Sequence, residues 1–159
     1  MGIIDFLLPF ISTPTATVPV MICPPIQRSL CPKRKEFACQ LQGNYTETVV
    51  AGQVGKIYER INLKDGTFNI TTKDICAKNQ PCNNNIKTLV GLYSVTDLKC
   101  APGVSTLRFT MSFDYFEGFL RKRKQTFTLS GTTKVKFANY PTLTFLQEGS
   151  TSEHVMKKT

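Results

Sequence analysis

Few side chains in this sequence are placed to do covalent chemistry. His154 is the only histidine among 159 residues, and it stands in a polar stretch near the end of the chain. Acid–base or triad catalysis through histidine is therefore not expected. Neither a Walker loop nor a Gly-x-Gly-x-x-Gly turn occurs, and no two carboxylates cluster at helical spacing. Asp65, Asp74, Asp97 and Asp114 all fall at or near turn signals, where aspartate serves backbone geometry. These observations predict a non-enzymatic protein, with no catalytic residue, no metal and no cofactor.

The six cysteines are the remaining reactive groups: Cys23, Cys31, Cys39, Cys76, Cys82 and Cys100. Seven residues separate each of the first three, and five separate Cys76 from Cys82. Zinc sites bring their ligands closer, as C-x2–4-C pairs, so disulfides are the expected chemistry. Cys76 is expected to bridge Cys82 or Cys100, with at least one bridge among the N-terminal three or from them to the rest of the fold. An even cysteine count on a small basic chain suggests an oxidising compartment, secreted or luminal. The alternative is a component of a large intracellular or viral assembly. Two glycosylation triplets, at Asn44 and Asn69, are no more than this composition supplies by chance.

The net charge of +9 favours an acidic partner. It is spread along the chain rather than gathered in a tail, and no specific nucleic-acid partner is expected. The densest run is Arg121, Lys122, Arg123 and Lys124. It suits contact with an anionic surface, or it protects an edge strand from aggregation. A two-residue turn at Glu117-Gly118 would set Phe113 opposite Lys122 and Met111 opposite Lys124. That puts cations on an apolar face, so a bulge must shift the register or this edge must lie beyond the buried core.

Residues 1–27 carry one charge, Asp5, and Pro9, Pro14, Pro19, Pro24 and Pro25 interrupt them throughout. No helix survives such spacing, and the basic start of a secretory signal is missing. Residues 1–40 read as an extended, apolar, proline-rich arm with cysteines. Residues 1–30 are expected to dock on a protein partner, the competing readings being an atypical signal or a leader.

From residue 41 the pattern is that of strands. Asp65-Gly66 is a strong hairpin signal, because a type I′ turn needs positive φ at both central residues. That turn sets Lys64 opposite Thr67, Leu63 opposite Phe68 and Ile61 opposite Ile70. One face then carries Ile61, Leu63, Phe68 and Ile70, and the other carries Arg60, Asn62, Asn69 and Thr71. Residues 106–116 alternate as cleanly, with Leu107, Phe109, Met111, Phe113 and Tyr115 on one face. Further strands are expected at 43–50, 89–95, 125–130, 135–137 and 143–146, with turns at 97–105 and 131–133. About eight short strands joined in chain order predict an all-β fold, a single antiparallel up-and-down barrel over residues 41–147. Residues 148–159 read as a polar C-terminal tail.

Several short motifs resemble those of the lipocalin-like (calycin) β-barrels. Gly43-Asn44-Tyr45 opens the first strand where lipocalins have Gly-x-Trp. Lys64-Asp65-Gly66-Thr67-Phe68, Gly91-Leu92-Tyr93-Ser94-Val95 and Phe127-Thr128-Leu129-Ser130-Gly131 follow in order. Asp114-Tyr115 lies 71 residues after Gly43, about where that family has a Thr-Asp-Tyr turn. Strands rather than a C-terminal helix follow residue 125. The resemblance implies a non-catalytic binding barrel. A small apolar ligand would then meet the inward side chains Tyr45, Ile61, Phe68, Tyr93, Phe109, Met111 and Phe113. The alternative function is a structural or accessory subunit of a larger assembly, docked through the N-terminal arm.

Overall fold

Asp65 and Gly66 both take positive φ, 47° and 80°. This is the type I′ geometry that Asp-Gly favours, because its twist matches that of the flanking strands. The turn joins β2 (Gly55–Lys64) to β3 (Thr67–Ile75) in the expected register, with Lys64 facing Thr67, Leu63 facing Phe68 and Ile61 facing Ile70. The computed structural model describes residues 23, 31–49, 51–77, 85–100, 103, 105–117, 123–134, 140–147 and 153–159.

Around this hairpin stand β1 (Gly43–Glu47), β4 (Ile86–Lys99), β5 (Thr106–Glu117), β6 (Arg123–Lys134), β7 (Thr142–Gln147) and β8 (Glu153–Lys158). Each strand pairs antiparallel with the next, and β8 pairs with β1, so the eight strands form a closed barrel. Closure removes the open edges that a flat meander would leave. The clean alternation of β5 becomes an inner face: Leu107, Phe109, Met111 and Phe113 are all buried. Each such side chain contributes about 1.5–3 kcal/mol on leaving water.

The C-terminal residues correct the sequence reading. Residues 153–158, expected as part of a polar tail, form β8 and complete the barrel. His154 and Met156 point inward and are buried, while Val155 is exposed. Two inward side chains were too few to announce a strand.

A helix was not expected, yet α1 (Arg34–Gln40) replaces the last part of the extended arm. Glu36 reaches back to accept from the Lys33 N–H (3.3 Å), which satisfies one of the first turn's open donors. Phe37, Ala38 and Leu41 lie on one side of the helix and join the barrel core. Two turns are too short for a 3.6-residue period to show against the flanking prolines.

The other corrections concern strand lengths. β4 runs to Lys99 through a bulge between Val95 and Asp97, where a turn was expected. β6 continues through Gly131, and this glycine serves close approach rather than turning. A Cβ there would lie 2.6 Å from the Thr144 carbonyl oxygen and 2.9 Å from the Phe109 ring. Glu117-Gly118 is not a two-residue turn. β6 begins only at Arg123, so Phe113 faces Phe127 and Met111 faces Leu129. The longer connection lets apolar faces meet and leaves Lys124 opposite the exposed Phe116. The strand expected at 135–137 lies outside the described residues.

Cys23 bridges Cys39 and Cys31 bridges Cys100, with Cα–Cα distances of 5.4 and 5.6 Å. One bridge thus lies within the N-terminal three and one runs from them to the end of β4. Cys100 is not the partner of Cys76. Cys76 is disulfide-bonded, and its partner lies outside the described residues, as does Cys82. These bridges are consistent with an oxidising environment.

Candidate functional site

Tyr45, Ile61, Phe68, Tyr93, Phe109, Met111 and Phe113, the side chains expected to line a ligand pocket, all point inward and are at most 3% exposed. They pack against one another in the barrel interior. Phe113 stacks on Phe127 with ring centres 4.9 Å apart, and Phe68 meets Phe113 edge-on at 5.1 Å. Alternation shows which side chains face inward but not how much space they leave.

At the end of the barrel that carries the β2–β3 turn, α1 acts as a plug. Phe37 packs on Phe109 and Tyr140, with centroids 5.2 and 5.1 Å apart. Three tyrosines hold the helix through their hydroxyls: Tyr45 donates to the Leu41 carbonyl, Tyr93 to the Ala38 carbonyl and Tyr140 to Gln40 Oε1, each at 2.7 Å. The first two satisfy main-chain carbonyls near the helix C-terminus that have no intrahelical partner, and the third holds the Gln40 side chain. Burial, the largest cause, lifts the Tyr45 and Tyr93 phenols well above the usual tyrosine range. It pushes Tyr140 up to about 12, with Glu36 adding to it. The Asp65 N–H donates to Gln42 Oε1 (2.8 Å), which ties the organising turn to the segment leaving the helix.

The opposite end is open. There the walls separate around a cavity of about 420 Å³, lined by Tyr58, Ile70, Thr72, Leu89, Tyr115, Phe127 and the edge of β6, with Lys56 and Lys87. None of the seven side chains named above lines it. Register explains the membership: Tyr58 faces Thr72, Thr72 faces Lys87, and Lys56 faces Asp74. The period-two faces that begin with Ile70 and Leu89 thus continue outward into Thr72 and Lys87. Extending the apolar faces of β3 and β4 by one more step would have found Thr72 and Lys87 in the sequence, whereas the bulge between Tyr58 and Arg60 brings Tyr58 and Lys56 to this face. Burial holds the Lys56 ammonium below the usual lysine range; Lys87 adds to this effect and Asp74 opposes it. The Lys56 Nζ also lies 5.5 Å from the centre of the Tyr58 ring. Burial pushes the Tyr58 phenol up to about 12, with Glu47 as a second cause.

Beside Tyr58 lies the position where sequence reasoning placed no partner. His154 Nδ1 sits 2.9 and 3.0 Å from the two carboxylate oxygens of Glu47, a pair joined across the β8–β1 seam. Their side chains are 8% and 2% exposed. Glu47 Oε1 also accepts from the Tyr58 N–H (2.8 Å), and the Tyr58 and His154 rings meet edge-on at 5.0 Å. The pair therefore fastens the seam and seats a wall residue of the cavity. Among the described residues no three His, Cys, Asp or Glu side chains converge as a metal site requires.

Arg121 and Lys122 lie outside the described residues, as do residues 1–30 apart from Cys23. Arg123 and Lys124 are exposed at the start of β6, and Lys124 Nζ is 3.6 Å from Asp114 Oδ2. A pair this open to water is worth at most about 1 kcal/mol. A second depression, about 350 Å³, lies over β4–β7 and is lined by Asp97, Lys99, Arg108, Phe109 and Glu153 among others. Its mixed charges single out no ligand. Comparison with protein-family models, with curated proteins and with solved structures finds no match.

Proposed function

We propose that this chain is a lipocalin-like, non-enzymatic binding barrel that holds one small apolar molecule at its open end. The observation that carries this reading is the contrast between the two ends. One is stoppered by α1 and three tyrosine hydroxyls. The other keeps a cavity of about 420 Å³ walled by Tyr58, Ile70, Leu89, Tyr115 and Phe127. Ligand pockets span roughly 300–1,000 Å³ and combine apolar walls with a few polar groups, as this one does. The disulfides support a secreted or luminal setting.

The test is titration with a neutral, environment-sensitive dye such as Nile red, followed by fluorescence. Saturable binding at one site is expected, and Leu89→Trp, which fills the cavity from its wall, should abolish it while the fold melts cooperatively as before. Binding that persists unchanged in the filled variant would refute this site. A folded wild-type protein that takes up no dye would refute the function.

A further inference from the structure

The triplets at Asn44 and Asn69 carry equal weight in the sequence, and their places in the fold separate them. Asn44 is the second residue of β1, just after the segment that leaves α1, and its side chain is exposed on the outer face. Thr46, the third residue of its triplet, lies on the same face. The neighbours of Asn44 across the sheet are small. Asn62 stands opposite on β2, and the Thr159 N–H beyond β8 donates to the Asn44 carbonyl (2.9 Å). The Asn62 Nδ2 donates to Asn44 Oδ1 (2.6 Å). That bond occupies the amide oxygen and not the nitrogen, which is the atom an N-linked sugar takes. A sugar can therefore be attached with this bond intact.

Asn69 stands differently. It lies mid-strand in β3 between Asn62 and Val90, and its Oδ1 is buried with no hydrogen-bond partner among the described residues. Thr71, the third residue of that triplet, is hydrogen-bonded through its hydroxyl to that of Thr88 (3.2 Å). Chain order adds a second distinction. β3 has both its neighbours, β2 and β4, once Lys99 has been made, whereas β1 waits for β8 at Glu153–Lys158. A hairpin forms in about 1–10 μs, and a chain grows at about 5–20 residues per second. β3 is thus enclosed while β1 still has an open edge.

We infer that Asn44 is an N-glycosylation acceptor of this chain and that Asn69 stays bare. The donor is an oligosaccharide carried on a polyprenyl diphosphate. Asn44 Nδ2 bonds to the anomeric carbon of the sugar as the bond from that carbon to the diphosphate oxygen breaks. The diphosphate leaves with the electron pair, one Nδ2 proton passes to a base of the transferase, and nothing is oxidised or reduced. Cys23–Cys39 and Cys31–Cys100 are consistent with the lumen in which such a transfer takes place. The sugar stands on the outer wall near the plugged end, where Gly43 faces Leu63, and the inference draws nothing from the cavity.

The test is secretion of the full chain behind a cleavable leader from mammalian cells, with peptide mapping by mass spectrometry after peptide N-glycosidase digestion. One oligosaccharide per chain is expected, and its removal should convert Asn44, and not Asn69, to Asp. Asn44→Gln and Thr46→Ala should each abolish the modification. Thr46→Ala keeps the Asn44–Asn62 bond, so loss of the sugar with unchanged circular dichroism separates the acceptor from the fold. A bare Asn44 in the folded, disulfide-bonded wild type would overturn the inference. So would a sugar on Asn69, alone or together with Asn44, because the fold would then not tell the two apart. A sugar on Asn44 that survives Thr46→Ala would overturn it as well. Dye binding at the cavity is read separately on the same protein, and either reading can fail while the other holds.

Discussion

Buried tyrosines at both ends of the barrel make the protein vulnerable to alkali in a way that can be worked out from their burial. Tyr45, Tyr58 and Tyr93 are at most 2% exposed, and burial raises all three phenols above their ordinary value of 10.0. In the unfolded chain they ionise at the ordinary value. The unfolded state therefore sheds its protons first, so the stability these groups lend is intact below pH 10 and is lost as pH climbs toward and beyond about 12. At pH 11 each of the three favours unfolding by about 1.4 kcal/mol, or about 4 kcal/mol together. Tyr140, also pushed to about 12, acts in the same direction. Against a typical total of roughly 5–15 kcal/mol, this removes a large part of the domain's stability by pH 11. The assay is a pH titration that follows tyrosinate absorbance and circular dichroism together. Both signals should change in one steep, coincident transition, and Tyr45→Phe should make it shallower by about one proton. Complete tyrosinate formation near pH 10 with unchanged circular dichroism would refute the burial of these hydroxyls.

Three further outcomes follow from single features of the fold. Gly66→Val forces a β-branched residue into φ 80° and should cost about 1–3 kcal/mol, read as a lower denaturant midpoint at constant slope; a change under about 0.5 kcal/mol would contradict the type I′ assignment. His154→Ala strips the partner from a Glu47 side chain that is 2% exposed. A loss of about 3 kcal/mol or more is expected, with weaker ligand binding because Tyr58 loses its support, and a neutral effect would return residues 153–158 to the status of a tail. Replacing Cys31 and Cys100 together by Ala opens a connection 69 residues long and should lower stability by about 4 kcal/mol in the chain-entropy view; urea melts of the two forms should differ, and identical melts would show that the bridge adds no constraint.

What the sequence made legible was local, or repeated over many residues. The β2–β3 register was readable because turn chemistry and alternation pointed to the same pairing, and the five alternating apolar residues of β5 defined an inner face unaided. The β5–β6 pairing was not readable, because pairing depends on loop length and no residue at 118–122 marks where the turn closes. α1 escaped because two turns show no period, and β8 because only His154 and Met156 face inward. His154 shows the cost of that omission. Read as a tail residue it had no chemistry, yet closure of the barrel brings it within 3.0 Å of a carboxylate 107 positions away. The cavity at the open end was not read from the sequence for a different reason: inward direction is a property of each strand, whereas empty space is a property of the whole barrel. The aromatic residues that looked most like a pocket are those large enough to fill one.

The plugged end of the barrel and the proposed binding end differ in the covalent and hydrogen-bonded restraints they carry. Cys23–Cys39, Cys31–Cys100, the three tyrosine hydroxyls and the Gln42–Asp65 bond all lie at the plug end. A ligand site gains from having its walls held by a rigid distant end, since the open end can then lack a filled core without loosening the fold. At the open end the Glu47–His154 pair fixes Tyr58 through both its N–H and its ring, and the disulfide of Cys76 adds a covalent restraint directly after β3. Cys23 and Cys31 are anchored at the plug. Docking of a protein partner through residues 1–30 is the other role expected of this chain, and residues 1–22 lie outside the described residues. Truncating the chain before Cys23 should leave ligand affinity at the open end unchanged, and an affinity that falls with the truncation would show that the two ends are coupled.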